Sequence, residues 1–211
     1  MDSKFNLVAI LRTAFRVIAS PSGFFKEMPK TGGYIEPLVF MMVMGFVGTS
    51  LQAVFSKIGL QPVQLDIDAA SLIMLLTFLI VASGFVAAAI YFIIWKLMGS
   101  HESFETAYRC NAYISALMPV TAVFNLVPYF GPVVTIALST IFLVIASVRV
   151  HHLPPKKSWI VFGIFGLIFI MVMSMTEDIA LKHLKGGSET QKQIEKIRVP
   201  PKEALKDLVE I

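Results

Sequence analysis

The side chains that could do chemistry in this chain are few, and their spacing serves none of the common reactions. Two of the four histidines are adjacent, His151-His152. Neighbouring positions point to different sides of a helix or strand, whereas a zinc pair needs a spacing such as H-x-x-x-H on one face. His101-Glu102 lacks the second histidine, and no H-E-x-x-H, G-x-S-x-G or phosphate-binding loop occurs. The single cysteine, Cys110, has no partner for an internal disulfide. Asp66 and Asp68 are a carboxylate pair in a polar loop, where capping the next helix is the simpler role. No metal, cofactor or catalytic residue is expected, and the chain reads as non-enzymatic.

What remains is a small set of polar residues within apolar surroundings. Tyr108, Asn111 and Ser115 share one helical face, and Asn125 lies near it farther down. An unpartnered polar group in hydrocarbon is costly, so this face should look into the protein. Two roles are open to it: a substrate or ion path, or interhelical hydrogen bonding worth about 0.6 kcal/mol per contact. No charged residue stands near mid-membrane to drive transport. Arg109 suits planar contact with a lipid phosphate, pairing with Glu102 or Glu105, or snorkelling to headgroups. His151 and His152 fall in a basic loop, solvated or pH-sensitive.

The elements that carry these residues are set by composition. Hydrophobic residues make up 56% and charged residues 15%, where a soluble domain averages roughly 45–50% and 25%. A run of about 18 or more apolar residues reads as a membrane span. Five such stretches cover 37–55, 69–98, 104–127, 132–148 and 158–175. The expected fold is all-α and polytopic. Pro37 opens the first span with Glu36 where the helix dipole favours an anion. Gly45 and Gly48 thin one face for a neighbouring helix. Ser103 caps the third span, which holds Pro119; Pro128, Gly131 and Pro132 then make a tight turn. These prolines read either as a broken helix of the transporter kind or as kinks and turn punctuation. Trp95 and Lys96 read as an interface marker.

Upstream, 5–19 is amphipathic. Leu7, Val8, Ile10, Leu11, Ala14, Phe15, Val17 and Ile18 fall in one half of the wheel, Arg12 and Arg16 in the other. Such a helix lies in the membrane interface or covers the protein's own helices. Arg12 and Arg16 also interrupt what would be the core of a cleavable signal. Ser20-Pro21-Ser22-Gly23 stops the helix, and Phe24-Phe25 begins a short aromatic turn. Past Met175 the chain turns polar; Ser188 with Gln191 has capping-box spacing for a short helix, which Pro200-Pro201 breaks. The division expected is an interfacial segment over 1–35, a five-span domain over 36–176 and a polar tail over 177–211. With the N-terminus inside, ten basic residues flank the spans on the inner side and one, Lys57, on the outer side. The positive-inside rule then places the N-terminus in the cytoplasm.

The stretch 103–158 resembles the Yip (Ypt-interacting protein) domain family. The matching features are Tyr113 followed by Pro119, the Pro128–Pro132 turn, and His152-Leu153 before lysine and the last span. Ser20-Pro21-Ser22-Gly23-Phe24-Phe25 is similar to a proline-then-paired-aromatic segment of prokaryotic members. The resemblance covers about 20–176 and implies five spans with a cytoplasmic N-terminus. Eukaryotic members are associated with Rab-type GTPases and vesicle transport, and carry an acidic-Leu-Tyr-Gly-Pro stretch. This chain has Tyr34-Ile35-Glu36-Pro37 there, without the glycine, and looks more like a bacterial inner-membrane member. The function expected is membrane organisation, or recruitment of lipid or a partner. The recruiting surface would be Arg12, Arg16, Phe24, Phe25, Arg109, His151 and His152. The alternative is a small transporter or lipid-translocating protein using the polar face of the third span. Membrane lipids, a membrane or cytoplasmic protein and a second copy are the expected partners; nucleic acid is not.

Overall fold

The computed structural model describes residues 6–60 and 68–198, with side chains described as far as Thr176, Ala69 excepted. No strand occurs among the described residues. The helices are α1 (Leu7–Ala19), α2 (Pro21–Glu27), α3 (Ile35–Lys57), α4 (Ala69–Leu97), α5 (Phe104–Ile114), α6 (Met118–Phe124), α7 (Phe130–Arg149) and α8 (Pro155–Arg198), with a 3₁₀ turn, Ser115–Leu117, between α5 and α6. The chain divides into two compact units, Met1–Ile170 and Met171–Ile211. In the second unit α8 continues without a break to Arg198. A fresh helix start near Ser188 is not seen, because Gly186-Gly187 does not interrupt the ladder; Asp66 and Pro200-Pro201 lie outside the described residues.

Local chemistry sets the ends of the helices. Asp68 caps α4, accepting from the backbone N–H groups of Ala70 and Ser71, and Ser103 caps α5 through Thr106. Hydrogen bonds from Ser71 and Ala70 hold the Asp68 carboxyl below its usual range. Pro21 starts α2 at a bend of 119° from α1, and 24–27 is helical rather than a turn. Gly131 allows the turn into α7: a Cβ there would stand 2.5 Å from Asn125 Cα and from the Phe124 carbonyl oxygen.

Among the described residues, four helices are long and apolar enough to cross a membrane: α3, α4, α7 and the Pro155–Thr176 part of α8. The bent α1–α2 pair passes the same test of composition as a broken span or re-entrant loop. The expected third span is present as helix but is broken. Pro119 has no N–H to donate to the Ser115 carbonyl four residues back, and the backbone tightens into the 3₁₀ turn, where Met118 N–H bonds that carbonyl instead. This broken helix still runs alongside α3 in the same direction. Arg109 meets Glu36 near the start of both, and Met118 fits against Gly48 farther along, where a Cβ would be 3.1 Å away.

Two ends of the first unit follow from these contacts. One end, termed the N-terminal face, gathers the 28–34 loop, the 98–103 turn and the 150–154 loop. α4 and α7 arrive there while α3, α5 and α8 leave. The main buried cluster joins Phe24 and Phe25 of α2, Phe40 and Met44 of α3, Trp95, Tyr113, Phe142 and Phe162. Trp95 is fully buried and donates to Ser147 Oγ at 2.7 Å. It is a core residue, not an interfacial anchor, because its indole N–H finds a partner 52 positions away.

Candidate functional site

The N-terminal face is organised by one buried guanidinium. Arg109 is 1% exposed. Its Nε donates to the Pro29 carbonyl at 2.8 Å and Nη1 to the Gly33 carbonyl at 3.0 Å. Nη2 reaches Glu36 at 3.3 Å and the Tyr113 hydroxyl at 3.5 Å. Arg109 was expected to hold a lipid phosphate, to pair with a glutamate or to snorkel. The structure gives it to Glu36 and to two carbonyls of the 28–34 loop, with its donor groups spent inside the protein.

The same loop is tied at two more points. Lys30 pairs with Glu102 at 2.6 Å, and Glu105 accepts from Gly33 N–H at 2.7 Å. The Tyr34 segment is therefore clamped onto the first turns of α5. The glutamates that the sequence offered to Arg109 serve the loop that Arg109 grips.

His151 and His152 point apart, as adjacency required. His152 takes a left-handed backbone, φ 54°, and its exposed Nε2 lies 3.4 Å from Lys30 Nζ. His151 is buried and stacks on Trp95 with ring centroids 3.9 Å apart. Its Nδ1 bonds Ser100 Oγ at 2.8 Å, and its Nε2 has no partner among the described residues. Burial pushes the His151 pKa down to about 4, against the field of Glu102; Lys30, His152 and Lys96 add to the lowering.

Phe24 and Phe25 lie elsewhere than on a docking surface. Both are buried, Phe24 edge-on to Tyr113 and Phe25 edge-on to Phe142. They anchor α2 instead of meeting a partner. Helix α1 resolves into three sectors at about 100° per residue. Ile10, Ala14 and Val17 pack inward. Leu7, Val8, Leu11, Phe15 and Ile18 are exposed, Phe15 to 73%. Arg12 and Arg16 occupy the next sector, both exposed, with Arg16 paired to Glu27. The wheel offered lipid or protein as the apolar partner; one sector of α1 packs on the protein and a second apolar sector stays exposed.

The polar face of the third span divides. Asn111 and Ser115 border a partly open cavity of about 290 Å³. Tyr108 turns away, fully buried and stacked on Phe85 at 4.8 Å. Asn125 accepts from Thr135 at 3.2 Å beside the turn. No group of three or more metal-ligating side chains occurs among the described residues.

The fold is thus that of an integral membrane protein built from apolar helices, with a stapled polar face at one end. The family model of the Yip1 domain matches residues 15–176, and the chain belongs to the Yip1 family. No curated protein and no solved structure matches it. Most of α1 precedes the matched region, while the Arg109 staple, His151 and the cavity lie within it.

Proposed function

We propose that the protein is a non-enzymatic membrane organiser that recruits anionic lipid through α1, with its N-terminal face in the cytoplasm of a bacterial cell. The observation that carries this reading is the exposed sector Leu7, Val8, Leu11, Phe15 and Ile18 beside Arg12 and Arg16. An apolar stripe flanked by cations seats at the boundary of headgroups and acyl chains, and each cation near an anionic surface adds about 1 kcal/mol. The ten-to-one basic bias supports the orientation. Arg109, held inside, is no part of the lipid contact, and the 28–34 loop that it fixes sets where α1 and α2 join the spans.

Native mass spectrometry of the full chain from bilayers of phosphatidylglycerol and phosphatidylethanolamine tests this. The wild-type protein is expected to retain phosphatidylglycerol, and Arg12→Glu with Arg16→Glu to lose most of it. Equal retention by both proteins counts against the reading. A second reading, a small transporter or lipid-translocating protein, has one observation in its favour: Asn111 and Ser115 open onto a cavity instead of a closed helix interface.

A further inference from the structure

The cavity bordered by Asn111 and Ser115 lies at mid-depth. Ser83 and Ser139, both in its wall, stand midway along the spans Ala70–Leu97 and Phe130–Arg149. Besides Tyr91, six polar side chains converge there from four elements and the 3₁₀ turn: Ser83, Asn111, Ser115, Thr121, Thr135 and Ser139. Non-helical backbone at such depth is tolerated where it is buried or lines a cavity, and the break between α5 and α6 sits in this wall.

The hydrogen bonds already made decide what the cavity offers. Ser83, Ser115 and Thr121 each donate to a carbonyl three residues back in the chain, those of Ile80, Ala112 and Met118, at 3.0, 2.6 and 3.2 Å. The Asn111 amide donates to the Gly84 carbonyl at 2.9 Å, and Thr135 to Asn125 at 3.2 Å. Those five side chains each spend a donor within the protein, whereas the Ser139 and Tyr91 hydroxyls make no hydrogen bond among the described residues. The hydroxyl lone pairs and the Asn111 Oδ1 remain as acceptors. No Lys, Arg, Asp, Glu or His lines the space, so a charged group would enter without a counter-ion.

A second cavity of about 460 Å³ adjoins it between α4, α7 and α8. The two share Ala87, Tyr91, Thr135, Ser139 and Leu143 as a common wall. Beyond that wall the lining turns apolar, with Ile90, Ile94, Phe162 and Phe169. An acceptor-rich, uncharged chamber thus abuts a hydrocarbon-lined one across this shared wall, each near the range of about 300–1,000 Å³ of small-molecule sites.

We propose that these adjoining cavities together bind one uncharged hydroxylated lipid of the acylglycerol class. Its hydroxyls donate to the Asn111–Ser115 side, and an acyl chain fills the space between α4, α7 and α8. The site is independent of the α1 surface; it shares its place with the transporter reading but requires binding alone.

The test uses the full chain in nanodiscs with a diazirine-bearing diacylglycerol, and a phosphatidic acid with the same chains as its anionic counterpart. Saturable photolabelling of α4 and α7 peptides by the diacylglycerol is expected, displaced by unlabelled diacylglycerol. Phosphatidic acid should label these peptides at least about tenfold less. Ser139→Phe fills the shared wall and should abolish the labelling; Ala87→Leu does so from α4 and decides the matter should Ser139→Phe fail to fold. Arg12→Glu with Arg16→Glu should leave this labelling intact while removing phosphatidylglycerol, which separates the two proposals. Equal labelling by both lipids, non-saturable labelling, or labelling unchanged in a folded cavity-filling variant would overturn the assignment.

Discussion

Arg109 shows what a single residue can conceal. Its type and its place near the end of a span suited lipid phosphate equally well, because the groups that claim it lie 73 to 80 positions earlier in the chain. Truncating it to Ala would strand two loop carbonyls; hydrogen bonds to a charged donor contribute about 1.5–3 kcal/mol each, so a loss of about 3 kcal/mol or more is expected. Arg109→Lys keeps the charge but not the planar fork, and should recover only part of that loss. Thermal melting in detergent, with proteolysis of the 28–34 loop alongside, reads both. His151 supplies a second prediction at this scale. Burial lowers its folded pKa to about 4 from an unfolded value of 6.5. The unfolded chain therefore binds the proton first as pH falls. Stability is whole above about pH 6.5 and declines towards pH 4 by at most about 1.4 kcal/mol per unit. His151→Phe keeps the stack on Trp95 and removes the titration, so its melting temperature should fall less between pH 6.5 and 4.5. Parallel curves for the two proteins would rule out this source of pH dependence.

At the scale of elements, what was legible is what local sequence controls. Asp68 and Ser103 cap the helices they precede, and Pro21 ends α1. Gly45 and Gly48 receive Ile80 and Met118. What was not legible depends on distant partners. Trp95 carries the composition of an interfacial anchor, and only the approach of Ser147 makes it internal. Phe24 and Phe25 look like a docking pair until α5 and α7 supply Tyr113 and Phe142. The break in the third span was half visible: Pro119 marks the site, but the tightened turn falls before it, starting at Ser115, whose carbonyl loses the donor four residues on. All three residues of the polar stripe look inward, Asn111 and Ser115 onto a cavity and Tyr108 onto Phe85, and the difference was hidden because helical spacing says nothing of where neighbouring helices leave a gap. Gly131 allows an element-scale prediction. Gly131→Ala places a methyl group 2.5 Å from the backbone of Asn125, a contact that only movement of the backbone relieves. A loss of about 3 kcal/mol or more is expected, read as a drop in melting temperature and monodisperse yield. A variant as stable as the wild type would show that the α6–α7 turn has slack.

For the whole molecule the deciding question is whether the broken α5–α6 helix crosses. By length and composition it does not qualify among the spans, yet its contacts with α3 run in order from Glu36–Arg109 to Gly48–Met118. Together the segments 104–124 rise about 31 Å at 1.5 Å per residue, close to the thickness of about 30 Å that a crossing needs. If they cross, the segment ending at Leu60 and the turn at Val127 share one side of the membrane, and Lys26 and Lys156 share the other. If they enter and return, Val127 joins Lys26, and α7 then carries Lys156 to the side of Leu60. Each of these four residues is exposed, so single cysteines at 26, 60, 127 and 156, placed in a Cys110→Ala background, report the arrangement through impermeant maleimide labelling of sealed vesicles. The order of contacts along α3 requires 60 and 127 to label together and 26 and 156 to label from the opposite side, the inner one if the basic bias governs insertion. A label at 127 appearing with 26, and one at 156 appearing with 60, would turn α5–α6 into a re-entrant element. The mid-depth cavity would then lose the wall that α6 gives it, and the lipid site would fall with the topology.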